Sequence, residues 1–425
     1  MTQAPGAASA PARPAPAGAP PAPAVAAAPG LDTAQAQRLG EDVPQLLNRL
    51  QVAAVALCVV FGVLAGLVQL LAWQGSGRAA DNTEQLVRVQ AIETSLYRAD
   101  ALATNAYLSG GLEPAEQRAA YDDAIEQVLA DLTAAAEAQP ADREALTALA
   151  GEVNRYTTAI TQARDGNRQG YPVGKAYLAE AGTALRGEAA AVLDALVEAN
   201  TERSEEELQA HHPVWLIVLA VLVVLGLWFV NRQIAQRFHR RVNLGIAVAA
   251  GVVLLATLVA AAYGSARNGT AEELQAGAFR TAVDEAEART AANDAKAQES
   301  KRLINRAAGE TAEEPWLAAS AIVRDNTTRL AEWRYYVGVH GLVVKADDEG
   351  RYDDAVQQAT GGSTTAFDQY DELAAAEVEQ ASGEVTAELR SRGFSLVLVV
   401  FLLLAGLVAS GAVAWGINQR RREYA

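Results

Sequence analysis

Four uncharged apolar runs constrain this chain more than any other feature: Val52–Trp73, Val214–Val230, Leu244–Tyr263 and Phe394–Trp415. About 20 helical residues, each rising 1.5 Å, cross a hydrocarbon core of roughly 30 Å. The first run begins after about fifty residues, which is too far from the N-terminus for a cleaved signal peptide. The sequence therefore predicts an all-α membrane protein with transmembrane helices at 52–73, 214–230, 244–263 and 394–415.

The charges between the runs predict the orientation. Residues 1–51, 231–243 and 416–425 together carry ten basic and four acidic residues, whereas residues 74–213 carry 11 and 23, and residues 264–393 carry 14 and 24. Short arginine-rich loops stay in the cytoplasm, and long loops are exported largely regardless of charge. We therefore expect a multi-pass protein of the bacterial plasma membrane. Both termini, a basic loop and a basic tail would be cytoplasmic, and two acidic domains would be exported.

The exported domains are predicted to be antiparallel helical bundles. In residues 74–213 the apolar positions recur at spacings of three and four, the pattern of helices that pack along one face. Breakers at Gly110-Gly111, Gln139-Pro140 and Gly166–Gly174 divide this segment into four helices. A chain that leaves and re-enters the membrane on one side needs an even number of helices, so residues 264–393 are expected to break near Asp325–Thr328.

Residues 264–393 also echo the first domain, which indicates a tandem duplication. Arg334-Tyr335 matches Arg155-Tyr156, and Gly350-Arg351-Tyr352 stands where Gly170-Tyr171 does. The offset between matched positions stays near 180 residues. The predicted plan is span, bundle, span, repeated once.

The N-terminal arm has a different composition. Residues 4–30 are almost entirely Ala, Pro and Gly, which cannot bury enough surface to offset the entropy of ordering. We therefore expect residues 1–45 to form a disordered cytoplasmic arm, with a short helix favoured from Leu31 towards the membrane. The arm is either a passive spacer or a docking segment for a cytoplasmic partner.

The residues that most enzymes need are scarce. The chain has one cysteine, Cys58, and four histidines, and it carries no Walker loop, dinucleotide fingerprint, metal motif or nucleophile elbow. The exported domains show no basic patch suited to nucleic acid. We expect a protein that is not an enzyme, with no catalytic residue, no metal site, no cofactor and no nucleic-acid partner.

The spans favour helix packing over transport. They contain no Asp, Glu, Lys, Arg or His side chain, whereas ion and substrate pathways usually place one at membrane depth. Small residues four apart allow close helix contact. The candidate packing residues are Gly62, Gly66, Ala247, Gly251, Gly406 and Ser410.

Two sets of residues are candidates for contacts with partners. The helix connections farthest from the membrane would be accessible to an extracytoplasmic protein. Their candidate residues are Ser109, Gly110, Gly111, Glu113, Pro114, Gly170, Tyr171, Glu313, Trp316, Asp347, Asp348 and Glu349. The candidate cytoplasmic contacts are Arg232, Arg237, Arg240, Arg241, Arg420, Arg421 and Arg422, whose simpler role is to set the topology and contact lipid headgroups.

The segment from Leu96 to Pro114 (LYRADALATNAYLSGGLEP), the four spans and the two exported domains resemble the GlnX-type membrane proteins of actinobacteria. The resemblance covers nearly the whole chain from about residue 45 and depends on architecture and one segment. It implies a protein that passes amino-acid availability, reported by a GlnH solute-binding lipoprotein, to the soluble serine/threonine protein kinase G. It supplies no set of ligand-contacting residues.

The sequence-based hypothesis is therefore a non-catalytic transmembrane signal coupler. Its expected partners are the lipoprotein, the cytoplasmic kinase, the bilayer and a second copy of the chain. A direct small-ligand receptor or an envelope scaffold protein is the alternative, and a transporter ranks third.

Overall fold

The computed structural model describes residues 33–209, 214–238, 242–306, 310–391 and 393–423. All regular structure within these ranges is helical, and the predicted all-α fold class is confirmed. The helices are α1 (Thr33–Leu108), α2 (Ala115–Ala138), α3 (Arg143–Arg168), α4 (Val173–Ala184), α5 (Ala190–Gln209), α6 (Val214–Phe238), α7 (Leu244–Leu274), α8 (Arg280–Asn305), α9 (Glu310–Asn326), α10 (Leu330–Asp348), α11 (Tyr352–Thr360), α12 (Gly362–Arg390) and α13 (Gly393–Glu423).

Four helices are long and apolar enough to cross a membrane. The four predicted spans lie in α1, α6, α7 and α13, respectively. Large apolar side chains remain exposed along all four, for example Leu71, Leu225, Leu258 and Leu407. An exposed apolar surface of this extent is stable in lipid rather than in water. The chain is a multi-pass membrane protein.

The four spans pack into one bundle in which α1 contacts α6 and α13, and α7 contacts the same two helices. The closest approach joins Gly62 of α1 to Gly406 of α13, since a Cβ built on Gly406 would lie 2.7 Å from the Cα of Gly62. A Cβ on Gly66 would meet the Leu403 side chain at 3.3 Å. The Ser410 hydroxyl is buried beside this contact and donates to the Gly406 carbonyl at 2.7 Å.

The prediction that Ala247 and Gly251 pack against another span is wrong. Both residues are exposed, and a Cβ added to Gly251 would meet no atom within 4 Å. The close contact of α7 lies instead at Gly245, whose added Cβ would stand 2.6 Å from the Cα of Gly416 in α13. Small residues at this spacing occur on several faces of an alanine-rich helix, so the spacing alone does not identify the packed face.

The first bundle consists of the outer half of α1, α2, α3 and a fourth helix made of α4 and α5. One π-helical turn, Leu185–Ala189, joins α4 to α5 without interrupting that fourth helix. The connection between α2 and α3 turns back at Pro140, at the end of the bundle that lies nearer the spans. The buried carboxylate of Asp142 holds this turn because it accepts hydrogen bonds from Gln85, Asn200 and Arg203 at 2.8–3.1 Å.

The second bundle has the same plan. A single helical path from Leu244 to Asn305 contains α7 and α8, joined by a π-helical turn at Gln275–Phe279. Helix α9 descends and α10 ascends, with the break between Asn326 and Leu330 as predicted. The buried Glu285 carboxylate of α8 fixes this break by accepting from Thr327 Oγ1, Thr328 Oγ1 and the Thr328 N–H at 2.6–2.8 Å.

The predicted boundaries outside the bundles need two corrections. The arm was predicted to extend through residue 45, but α1 already begins at Thr33, in agreement with the helix favoured from Leu31. Gln, Arg and Leu, which favour helices, replace the prolines there. The predicted loop at 231–243 is helical through Phe238, and the predicted tail is helical through Glu423, because each span helix continues past its apolar segment. Residues 1–32 lie outside the described part of the chain.

The two bundles share a turn that supports the duplication. Helices α3 and α10 both end with a glycine at positive φ, Gly170 at 69° and Gly350 at 73°. In each, the next residue donates its N–H to a carbonyl five positions back at 2.8 Å, the hydrogen bond of a Schellman motif. The predicted match of Tyr335 with Tyr156 is wrong by one residue, because the buried counterpart of Tyr156 is Tyr336, whereas Tyr335 is exposed.

Candidate functional site

The ends of the bundles farthest from the spans, called the distal ends here, contain most of the predicted contact residues. In the first bundle, α1 ends before the turn at 109–114, in which Gly110 and Gly111 both have φ of 60°, a conformation that suits glycine. Ser109, Gly110 and Gly111 are exposed there, and Leu112 leaves 82% of its surface open. Glu113 pairs with Arg164 at 3.0 Å, and Pro114 precedes α2.

The second turn of the first distal end contains Gly170 and the exposed Tyr171. The Asn167 side chain donates to the Tyr107 carbonyl at 3.0 Å and so joins this turn to the end of α1. Between the two turns lies a cavity of about 500 Å³. Tyr107, Arg118 and Arg164 line it together with apolar side chains such as Leu178. This volume lies within the range of small-ligand sites.

The second distal end is organised around one buried arginine. Arg302 of α8 pairs with Asp347 at 2.9 Å, Asp348 at 2.6 Å and Glu313 at 3.0 Å. These three predicted contact residues are therefore each tied to Arg302 by an ion pair, with the side chain of Asp347 largely buried and that of Asp348 still exposed. Glu349 remains exposed and pairs with the exposed Arg351. The prediction that Trp316 is a surface contact is wrong, because it is 4% exposed.

Trp316 is buried because its ring stacks on the imidazole of His340 at a centroid distance of 3.9 Å. His340 in turn bridges two carboxylates, with Nδ1 2.7 Å from Glu299 Oε2 and Nε2 2.6 Å from Glu313 Oε1. Glu299 also accepts from Lys296 Nζ at 2.6 Å. Among the described residues, no set of three His, Cys, Asp or Glu side chains is arranged to hold a metal ion.

The charges of this cluster stabilise one another. Burial alone would raise the pKa of Glu299, but Lys296 and His340 hold it at about 2. Burial alone would lower the pKa of His340, yet its bonds to Glu299 and Glu313 raise that pKa above its ordinary value. A protonated His340 therefore ties α10 to both α8 and α9.

A second ionic cluster joins the two bundles. The fully buried carboxylate of Asp100, in α1, accepts from Lys301 of α8 and from Arg186 of the π-helical turn, each at 2.9 Å. Arg186 also pairs with Asp294 of α8 through Nε at 3.0 Å. Burial alone would raise the pKa of Asp100, but Lys301 and Arg186 hold it at about 2.

Other side chains extend this contact along α1. Thr94 and Thr290 share a hydrogen bond of 2.9 Å, and Arg98 pairs with Asp371 of α12 at 2.8 Å. Asn105 donates to Thr364 at 3.1 Å. We call this contact of α1 with α8 and α12 the inter-bundle seam. It makes α1 part of both bundles.

Glu93 lies on α1 five residues before Arg98, and it forms no ion pair with a basic side chain among the described residues. Burial, together with the nearby carboxylates of Asp194 and Glu287, raises its pKa to about 7. Three carboxylates from α1, α5 and α8 thus approach one another beside the seam. Because carboxylates of the same charge repel, this region responds to protonation.

The sequence analysis missed both buried clusters. Charged residues on helices of acidic domains are usually solvated, and the spacing of Glu299, Arg302 and His340 does not distinguish a buried cluster from a surface one. One feature of the sequence could have indicated these clusters: Glu, Lys and Arg occupy helix positions where the apolar periodicity predicts buried apolar residues.

The predicted cytoplasmic arginines are described only in part. Arg232 is exposed and its guanidinium lies 5.5 Å from the Trp228 ring centroid. Arg237, Arg420, Arg421 and Arg422 lie on helices, whereas Arg240 and Arg241 lie outside the described residues.

The first bundle is similar to a known family of domains. Residues 75–209 match the family model of an actinobacterial sensor domain. These residues begin on α1 just after its span and end with α5, so the matched segment coincides with the first bundle. No curated protein matches the chain. The match supports an actinobacterial sensor membrane protein and suggests a sensing or signalling role.

Proposed function

We propose that this protein is a non-catalytic transmembrane coupler. It relays extracytoplasmic amino-acid availability, reported by a solute-binding lipoprotein, to a cytoplasmic serine/threonine protein kinase. The match of the first bundle to a sensor domain and the membrane-spanning helices support this proposal. The lipoprotein and the kinase come from the resemblance described above.

The observation that carries the proposal is the continuity of two helices. Helix α1 runs for 76 residues from Thr33 to Leu108, or about 114 Å at 1.5 Å per residue. The path through α7 and α8 covers 62 residues from the membrane to the second distal end. A shift at a distal end is therefore carried along a rigid rod to the opposite face of the membrane.

The inter-bundle seam makes the two rods move together. Asp100 of α1 and Lys301 of α8 form a buried pair, so sliding of one rod along the other would break charged hydrogen bonds. A buried ion pair of this kind favours two discrete packings of the two helices over a continuous range of positions. Binding energy at a distal end can then select one packing.

Docking of the lipoprotein at a distal end is tested with exposed residues that form no ion pair. Charge reversal at Asp347, Asp348 or Glu313 would also break an ion pair with the buried Arg302 and so disturb the fold. We expect Leu112→Asp combined with Tyr171→Ala to weaken capture of the lipoprotein by the full-length protein at least tenfold. The same variant should abolish amino-acid-dependent phosphorylation by the kinase in cells.

Leu129→Asp provides the matched control, since Leu129 is also exposed but lies midway along α2. It should leave both lipoprotein capture and the kinase response unchanged. Unaltered capture by the distal-end variant, with the control behaving identically, would contradict the proposed docking at the first distal end.

A direct small-ligand receptor is the second candidate, and the cavity of about 500 Å³ at the first distal end favours it. A receptor should bind an amino acid as purified full-length protein without any lipoprotein. A coupler should show no heat of binding in the same titration until the lipoprotein is added.

A further inference from the structure

A second cavity of about 400 Å³ lies where the four spans meet the bundles. Its lining comes from all four span helices, with Val68 on α1, Leu216 on α6, Ala260 on α7 and Ser395 on α13. Its lining residues on α1 run from Val68 to Arg78, ten positions that cover about 15 Å of helix. The cavity therefore crosses the boundary between hydrocarbon and water on the bundle side of the membrane.

The membrane half of the cavity is apolar. Val68, Leu71, Leu216 and Ala260 contribute aliphatic side chains. Helices α1 and α7 both run from the membrane towards the bundles, so Val68 and Ala260 lie deeper than Arg78 and Arg267, the later residues of the same helices. This half offers an acyl chain a surface equivalent to the lipid around it.

The bundle half is polar and basic. Arg78 of α1 and Arg267 of α7 line it, together with Ser76. Arg267 donates one hydrogen bond from Nη1 to Glu388 at 3.1 Å, and a guanidinium has five N–H donors. Planar guanidinium groups suit the oxygen atoms of phosphate.

Aromatic residues mark the level of the membrane surface around the cavity. Trp215 and Tyr263 line the wall, and the Tyr263 hydroxyl is 2.7 Å from Ser395 Oγ. Trp and Tyr are enriched at the headgroup level of membrane proteins. The aromatic rings therefore lie between the apolar half and the arginines, at the depth where a lipid changes from acyl chain to phosphate.

We propose that this cavity is a binding site for one anionic phospholipid. The phosphate contacts Arg78 and Arg267, and an acyl chain follows the apolar side chains of α1 and α6. Basic pockets between transmembrane helices bind lipid headgroups by this chemistry. Since α1 and α7 both line the site, lipid occupancy sets the spacing of the two continuous helices where they leave the membrane. This inference does not depend on the proposed signalling partners.

The test is a lipid titration of the delipidated full-length protein, read by native mass spectrometry. We expect phosphatidylglycerol to bind about tenfold more tightly than phosphatidylcholine, since one or two basic residues favour a net negative headgroup by about that factor. The double variant Arg78→Gln, Arg267→Gln should lose this preference. The double variant Arg155→Gln, Arg351→Gln removes two exposed arginines elsewhere and should keep it.

A cavity-filling variant keeps the test valid if the double variant fails to fold. Gly264 of α7 also lines the cavity. Gly264→Leu leaves both arginines in place and fills part of the cavity, so it should reduce binding of phosphatidylglycerol at least tenfold. An unchanged headgroup preference after loss of the two arginines would overturn the proposal. Tight binding of sn-glycerol 3-phosphate, equal to that of the lipid, would also overturn it, because the acyl chain would then contribute nothing.

Discussion

Glu93 is an acidic side chain that has no basic partner in the part of the chain that the structure describes. Its pKa of about 7, against an ordinary value of 4.5, comes from burial and from the neighbouring Asp194 and Glu287. Between about pH 4.5 and pH 7, Glu93 therefore keeps its proton in the folded chain but has released it in the unfolded chain. Stability contributed by this residue is greatest at low pH and falls as pH rises from about 4.5 to 7.

Glu93→Gln should remove that loss because the amide stays neutral at every pH. We expect the variant to exceed the wild type in free energy of unfolding by about 2 kcal/mol at about pH 8 and to match it near pH 4.5. Denaturant unfolding in detergent, followed by circular dichroism, measures both values. The exposed Glu144→Gln should change neither, and an equal effect of Glu93→Gln at the two pH values would refute the assignment.

His340 has the opposite linkage. The raised pKa of a histidine means that its stabilising charge is fully present below about pH 6.5 and is lost as pH rises through the folded-state pKa. Protonated His340 holds Glu299 and Glu313 together, so its loss leaves Glu313 with Arg302 alone. The cluster should loosen in alkaline solution.

His340→Phe keeps a ring stacked on Trp316 but removes both bonds to carboxylates. We expect a destabilisation of about 2–4 kcal/mol near pH 6 that shrinks at about pH 9. Thermal unfolding in detergent across this pH range measures the change. A loss of the same size at both ends of the range would show that packing, not charge, explains the role of His340.

At the scale of the helix, contact between spans depends on which face of each helix the small residues occupy. A Cβ on Gly406 would lie 2.7 Å from the Cα of Gly62, which is too close for any side chain, whereas Gly251 faces open space. The same substitution should therefore destabilise the protein at Gly406 but not at Gly251.

Gly406→Ala should separate α1 from α13 and lower the free energy of unfolding by about 1–3 kcal/mol. Gly251→Ala should be neutral or slightly stabilising, since alanine favours a helix over glycine by up to about 1 kcal/mol. Comparing the two variants by thermal unfolding in lipid vesicles provides the measurement. Equal behaviour would contradict the packing described for α1 and α13.

The helices could be predicted because their signals are local. Apolar runs identify the spans, and glycines such as Gly170 and Gly350 end helices through a local backbone conformation that needs no tertiary contact. The contacts between helices could not be predicted, because they depend on rotation about each axis. The sequence therefore assigned packing to Ala247 when Gly245 makes the contact.

For the candidate sites too, local features could be predicted from the sequence, whereas contacts between helices could not. Exposed turns such as the one at Leu112 were predicted from helix parity, and the structure places them at a distal end. The burial of Trp316 against His340 was not predicted, since it requires α9 and α10 to pack with specific faces together. Charged side chains were interpreted as solvated, although Asp100 and Glu299 are almost fully buried.

At the scale of the whole molecule, two long helical paths connect the distal ends to the membrane, and the seam joins them. The proposed signal can pass from the outside to the cytoplasm only if both bundles lie outside and the end of α6 lies in the cytoplasm. The arginine distribution supports this orientation. It is the central claim of the proposed function.

Cysteine labelling in right-side-out membrane vesicles tests that claim most directly, because the native Cys58 is fully buried and gives little background. Single cysteines replace Ala150, Arg334 or Arg232, which are exposed on the first bundle, the second bundle and the end of α6. A membrane-impermeant maleimide should label Ala150→Cys and Arg334→Cys in sealed vesicles, and Arg232→Cys only after permeabilisation. Labelling of Arg232→Cys in sealed vesicles, with both bundle positions protected, would contradict the account.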